Sequence, residues 1–599
     1  MQRRDFLKTS SIALSYIGFF GVLPLGAKEN HLIGFKALPA STQDAVIVPE
    51  GYEVKPLISF GDPLFSDAMP WSEKKIIDKN RIINATRVFG DNNDGMALFP
   101  LNNNRYILVV NNEYINPEWL FSDNGKNMDS SKVAYEQNLL GVSIFEIKQT
   151  KNGFFKVVLD SPYNRRITAH TPMQISGVAK GHKSMQTQAD EKGELILGTL
   201  NNCANGQTPW GTYLTCEENF DNFFGASDSN YQFTQSQKRY GMKARSNYGW
   251  ELDCRFDVSK NPNEPNRFGW VVEIDPYNPN STPMKRTALG RFKHENVEIV
   301  LSKEGYVVAY MGDDEADEFL YKFVSKEKFD SKNPKKNKNL LEEGTLYVAR
   351  IQGENLSGGG EWIALNYGQN GLDSTNGFYS QADILINTRL AGSIVGATPM
   401  DRPEWIAADP KGEFVYATLT NNKKREMADA ANPREKNIYG QIIRWNPKGK
   451  NHLNTKFKWD IFLLAGNPMQ YPNDLRKGTS NITSENMFNS PDGLKFDKFG
   501  RLWIQSDGDY SNKGDYAGMG NNQMLCANPA TGEIKRFLTA PIASEVTGIA
   551  FSQDYKTMFV GIQHPGEKLA PSHYPDGGDS TPRSTIVQIT KKDGGIIGS

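Results

Sequence analysis

The chain has 599 residues, with 68 lysines and arginines against 69 aspartates and glutamates and a formal charge of -1. That balance offers no global attraction for nucleic acid or an anionic membrane surface, so function has to come from local sites. Its 54 glycines and 11% aromatic residues suit a β-rich chain, and all-β repeat folds often run this long as one domain.

The N-terminus reads MQRRDFLKTSSIALSYIGFFGVLPLGAKEN. Arg3 and Arg4 precede a short apolar stretch that ends in the small residues Gly26 and Ala27, the order of a secretory signal with a twin-arginine address. The stretch is short and rich in Ser and Gly for a membrane span, although an uncleaved anchor is an alternative. The expectation is a signal over 1–27, a mature domain over 28–599, and periplasmic or extracellular delivery by the twin-arginine machinery. That pathway carries folded proteins, often with a cofactor already loaded, which directs attention to metal ligands.

Along the mature chain one theme recurs: a turn with Gly or Asn, a short apolar run, then a polar cluster. The instances are LNNNRYILVVNNEY, DEKGELILGTLNNC, SKEGYVVAYMGDDE, DPKGEFVYATLTNN, DKFGRLWIQSDGD and SQDYKTMFVGIQHPGE. Six such units predict an all-β, six-bladed β-propeller with insertions. If the apolar runs are the innermost strands, the polar clusters meet at the mouth of the central channel. Unrelated hairpins with ordinary polar turns are the alternative. VSKEKFDSKNPKKNKNLLEEG and GENLSGGGEW read as solvated surface insertions.

The clusters are rich in hard oxygen ligands: Glu113, Asp313, Asp314, Asp492 and Asp507. Such groups suit Ca²⁺ or Mg²⁺, and gathering them without cations is costly. Singly, each Asp beside a Gly is a turn residue. FGDNNDG offers Asn93 and Asp94, GRFKHENVEI offers Glu295, and DRPEWIA offers Arg402 and Glu404. On a strand Arg402 and Glu404 face the same side, and a guanidinium can clamp two phosphate oxygens. There is no GxSxG elbow, Walker loop or HExxH helix, which leaves metal-assisted hydrolysis as the favoured chemistry.

Four cysteines occur: Cys203, Cys216, Cys254 and Cys526. An oxidising compartment permits a bridge such as Cys203 with Cys254, but the spacing does not specify one. In TPWGTYLTCEENF, Cys216 immediately precedes Glu217 and Glu218, a soft ligand beside hard ones, as at a boundary between two metal types.

These motifs together resemble the PhoX-type alkaline phosphatases. The resemblance is carried by FGDNNDG, LVVNNEYINPE, NNCANGQTPWGTYLTCEEN, GRFKHE, YMGDDEADEFLYKF, RPEWIA, ANPREKNIYGQIIRW, NSPDGLKFDKFGRLWIQSDG and EVTGIAFS through IQHPGE. It implies a six-bladed propeller, twin-arginine export, and two Fe³⁺ with three Ca²⁺ acting on phosphomonoesters. Cys216 would bind iron, with Glu295 and Glu404 at the iron pair, and Arg402 would bind substrate phosphate. Glu113, Glu217, Glu218, Asp313, Asp314, Asp492 and Asp507 would hold calcium, and Asn93, Asp94 and Arg434 would join the site. Gln207 stands where relatives often carry a basic residue, and Asn112 where a histidine is common. The expected protein is a monomeric phosphatase without nucleic-acid or stable membrane binding. Its rivals are a calcium-dependent propeller lactonase or phosphodiesterase and a non-catalytic binding propeller.

Overall fold

The run Arg105–Asn112 is apolar at successive positions, and the computed structural model, which describes residues 32–102 and 104–599, shows why. Leu108 and Val110 pack with Met96, Phe559 and Ile586 on one face. Ile107 and Val109 pack with Ile175, Tyr213 and Val272 on the other. Successive strand residues point to opposite faces, so a strand between two neighbouring sheets is apolar throughout. Radially arranged blades impose that condition on every sheet.

Six blades make the ring. In chain order their innermost and second strands are Asn93–Pro100 with Arg105–Asn112, Asn202–Gln207 with Tyr213–Glu217, and His294–Leu301 with Tyr306–Asp313. Pro403–Ala408 with Val415–Leu419, Pro491–Phe496 with Leu502–Ser506, and Glu545–Phe551 with Thr557–Gln563 follow. Each innermost strand adjoins the next, and the sixth adjoins the first. Tyr52–Ser59 pairs antiparallel with Thr585–Lys591 and so supplies the outer strand of the sixth blade. An apolar cluster fills each of the six blade interfaces.

The recurring apolar run, expected to be innermost, is the second strand in five instances. In the remaining one, Leu195–Leu197 is the outer edge of the second blade's sheet. Second strands are flanked by blades on both faces, whereas innermost strands turn one side to the axis. The polar clusters still reach one mouth, because antiparallel pairing sets the end of each second strand beside the start of its innermost strand.

At that mouth every blade slips register. The shift falls between Asn93 and Met96, His294 and Val297, Pro403 and Ile406, and Pro491 and Leu494. In the second blade it falls between Thr215 and Glu217, opposite Asn205 and Asn202, and in the sixth between Thr547 and Ile549. Bulges re-aim side chains. In five blades this one carries an acid or a thiol: Asp94, Cys203, Glu295, Glu404 or Asp492.

GENLSGGGEW is no loop. Ser357–Ala364 pairs with Gly344–Glu354 on one side and with Lys456–Leu464 on the other, fusing the third and fourth blades into nine strands. A Cβ on Gly360 would meet the Phe457 ring at 2.3 Å, so that glycine serves close packing. The signal expected over 1–27 lies outside the described residues. Among the described residues no helix is long and apolar enough to cross a membrane.

Candidate active site and metal centre

Two concentric sets of side chains meet at the mouth. The innermost strands contribute Asp94, Cys203, Glu295, Glu404, Asp492 and Glu545. Glu113, Glu218, Asp314, Asn421, Asp507 and His564 stand at or just past the ends of the second strands. All but Asp94 line a cavity of about 660 Å³, into which Arg402 also projects.

The ligand atoms are crowded. Cys203 Sγ donates to Glu295 Oε1 at 3.1 Å and lies 3.6 Å from Asp94 Oδ2. Gln563 Nε2 bridges Asp94 Oδ2 and Glu113 Oε2 at 2.8 and 2.9 Å, and Thr547 donates to Asp94 Oδ1 at 2.9 Å. Three triads share members: Asp94, Glu113 and Cys203; Cys203, Glu218 and Glu295; Glu295, Asp314 and Glu404. A fourth comprises Asp507, Glu545 and His564; within each triad the ligand atoms lie within 4.8 Å of one another.

Burial pushes Asp94 up to about 6, and burial with the Asp94 charge pushes Glu113 up to about 8. Burial and Asp314 raise Glu404 to about 8, against the pull of Arg402. Glu218, Glu295, Asp492 and Glu545 are driven well above the carboxylate range by burial first and neighbouring acids second. Burial would lift Asp314 too, but Arg402, Glu218 and Lys293 together hold it low.

Arg402 contacts Asp314 Oδ2 at 2.7 Å and Glu404 Oε1 at 2.9 Å. Its backbone is left-handed, φ 56°, which costs a non-glycine residue roughly 1–3 kcal/mol. Asp314 Oδ1 and Asp492 Oδ1 are buried without a hydrogen-bond partner. Orphaned carboxylate oxygens among repelling acids fit cation ligands, and the thiol admits a softer metal alongside hard ones.

Of the residues expected at the site, Asp94, Glu113, Glu218, Glu295, Asp314, Arg402, Glu404, Asp492 and Asp507 come together here. The others are elsewhere. Cys216 packs with Leu214, Val271, Val297 and Met311 between the second and third blades. Glu217 pairs with buried Lys285 at 2.7 Å and accepts from Trp270 N. Asp313 accepts Arg389 from both Nε and NH2. Arg434 donates to the Ala465 and Gly440 carbonyls, and burial lowers it to about 10. Asn93 is fully buried with neither amide atom bonded. All four cysteines are free, so no Cys203–Cys254 bridge forms.

Cys203, Glu545, His564 and Gln563 were not singled out as ligands in the sequence, although each lies within or beside a quoted motif. The missing signal was positional: in five blades the ligand is the residue just after the one that opens the innermost strand.

The family model for alkaline phosphatase PhoX matches residues 33–566. A comparison with curated proteins returns no match. Among solved structures, Pseudomonas fluorescens PhoX in complex with vanadate, a transition state analogue, is 51% identical at a TM-score of 0.93, covering 95% of this chain and 100% of its own. A gluconolactonase from Xanthomonas campestris covers 94% of this chain and 99% of its own at 9% identity, with a TM-score of 0.30, too low to bear on this chain.

Proposed function

The chain belongs to the PhoX alkaline phosphatase family and is a phosphoric monoester hydrolase, and on that premise we propose that its mouth cluster holds two ferric and three calcium ions. The observation that carries this reading is the convergence of a thiol, a ring of carboxylates and Arg402 on one cavity. Cys203, with Glu295 and Glu404, is the proposed iron set. Glu113, Glu218, Asp314, Asp492, Asp507 and Glu545 are the proposed oxygen ligands of calcium. Such ions neutralise phosphate oxygens and supply a nucleophile near neutral or alkaline pH.

The chain's own groups do the rest. Arg402 offers a planar fork to the phosphate and compensates the negative charge that grows at phosphorus. Asp314 and Glu404 hold that fork at the cavity wall. Gln563 ties Asp94 to Glu113 by donating to both. The cavity is open at the mouth, so the ester's leaving group can extend outward while its phosphate sits on Arg402.

We further propose that residues 1–27 direct twin-arginine export, that 28–599 act as a single periplasmic propeller domain, and that the enzyme is a monomer. Hydrolysis of p-nitrophenyl phosphate, with and without chelator, tests the catalytic reading. Chelator-insensitive turnover, or none with both metals bound, overturns it. Vanadate, which the Pseudomonas fluorescens enzyme binds, is expected to inhibit competitively.

A further inference from the structure

Arg402 keeps its left-handed backbone at the edge of a small ribbon. Met400–Asp401 pairs antiparallel with Ala316–Glu318, Ala316 opposite Asp401 and Glu318 opposite Met400. The ribbon thus ties the segment that carries Asp314 to the segment that carries Arg402. Strands this short are marginal by themselves.

A buried cation binds both sides of it. Arg425 is 7% exposed. Its Nε donates to Asp401 Oδ1 and its NH2 donates to Pro399 O at 3.1 Å. The same NH2 lies 3.2 Å from Asp317 Oδ1, on the opposite strand, and NH1 lies 3.6 Å from Asp429. Asn437 donates to Asp401 Oδ2 at 2.9 Å, and Asn422 donates to Asp317 Oδ1 at 3.0 Å. Arg425 is not among the residues that line the cavity, so it acts on the site only through these partners.

We infer that Arg425 is a positioning residue: by clamping Asp401 and Asp317 it fixes where Arg402 presents its guanidinium to substrate phosphate. The inference rests on the reading of Arg402 as the phosphate ligand. A rigid planar fork spanning two carboxylates and a carbonyl is what Lys cannot reproduce and Gln cannot charge.

The test uses the metal-loaded enzyme and reads three quantities: KM for p-nitrophenyl phosphate, the inhibition constant for inorganic phosphate, and iron and calcium content. R425Q is expected to raise both constants about tenfold, with kcat falling less and metal content unchanged. R425K is expected to restore part of the loss. Parent-like constants in R425Q overturn the inference, as does a loss of affinity that only tracks lost metal. Should R425Q not fold, D317N decides: a rise of about threefold supports the clamp and parent-like phosphate affinity overturns it. R402A separates the two layers. If R402A binds phosphate as the parent does, both readings fall; if R402A is impaired while R425Q is not, only the role of Arg425 falls.

Discussion

Cys203 presents Sγ 3.1 Å from Glu295 Oε1, a thiol from the second blade touching a carboxylate from the third. Both stand in the bulge that follows the first paired residue of their innermost strands. The same backbone irregularity, repeated around the ring, therefore builds a cluster of ligands from residues far apart in sequence.

Replacing that thiol discriminates between the two cysteines near the motif. C203S is expected to lower kcat/KM by about 100-fold or more, because a hydroxyl is a poor ligand for the softer metal. C216S leaves a hydroxyl in an apolar interface and is expected to cost about 1–3 kcal/mol of stability while preserving turnover per folded molecule. Steady-state kinetics and thermal unfolding of both variants check this; equal kinetic loss in the two contradicts it.

Arg402 and Arg434 were both expected at the site, and the structure gives them different surroundings. R402A is expected to reduce kcat/KM by roughly 10²–10³ with metal retained. R434Q loses two bonds to buried carbonyls and is expected to lower the melting temperature with KM unchanged. A raised KM in R434Q would count against its placement away from substrate.

Glu217 and Lys285 form a pair with both side chains fully buried. K285M strands the carboxylate and is expected to destabilise the protein by about 3–5 kcal/mol. The double variant K285M/E217Q, which removes the charge and keeps an acceptor for Trp270 N, should recover part of that. Thermal unfolding of the three proteins measures it, and an unshifted K285M would contradict the pairing.

Glu136 gives stability a pH dependence remote from the metals. Burial raises its carboxyl to about 8, opposed by the hydrogen bond from Trp250. The folded state therefore favours the neutral acid. Its contribution is full below the ordinary carboxylate pKa and is lost as pH rises through about 8. E136Q keeps an acceptor for Trp250 and cannot ionise. Its melting temperature is expected to match the parent near pH 4, to pull ahead as pH rises toward about 8, and to keep a steady lead above that; a constant gap from pH 4 to pH 8 would refute the assignment.

The propeller was legible because blade interfaces demand apolar residues on both faces of the second strands, and YILVV, YVVAY and TMFVGIQ record that demand directly. Strand position within the blade was not legible, since an innermost strand and a second strand can carry similar local patterns. The Gly-rich GENLSGGGEW resembled a loop for lack of side chains; the need for glycine at 360 comes from the Phe457 ring, remote in sequence. Cys216 illustrates the same limit at the site. It precedes Glu217 and Glu218, yet alternation turns it with Leu214 into an interface, Glu217 meets Lys285, and only Glu218, past the strand end, reaches the cavity. Adjacency in sequence is separation in space on a strand.

Elemental analysis of the protein exported in its native host, alongside its C203S variant, separates a mixed iron and calcium centre built on Cys203 from a calcium-only one. Two iron and three calcium ions per parent chain are expected, with iron lost from C203S. Calcium alone in the parent, or a full iron complement in C203S, would contradict the mixed centre.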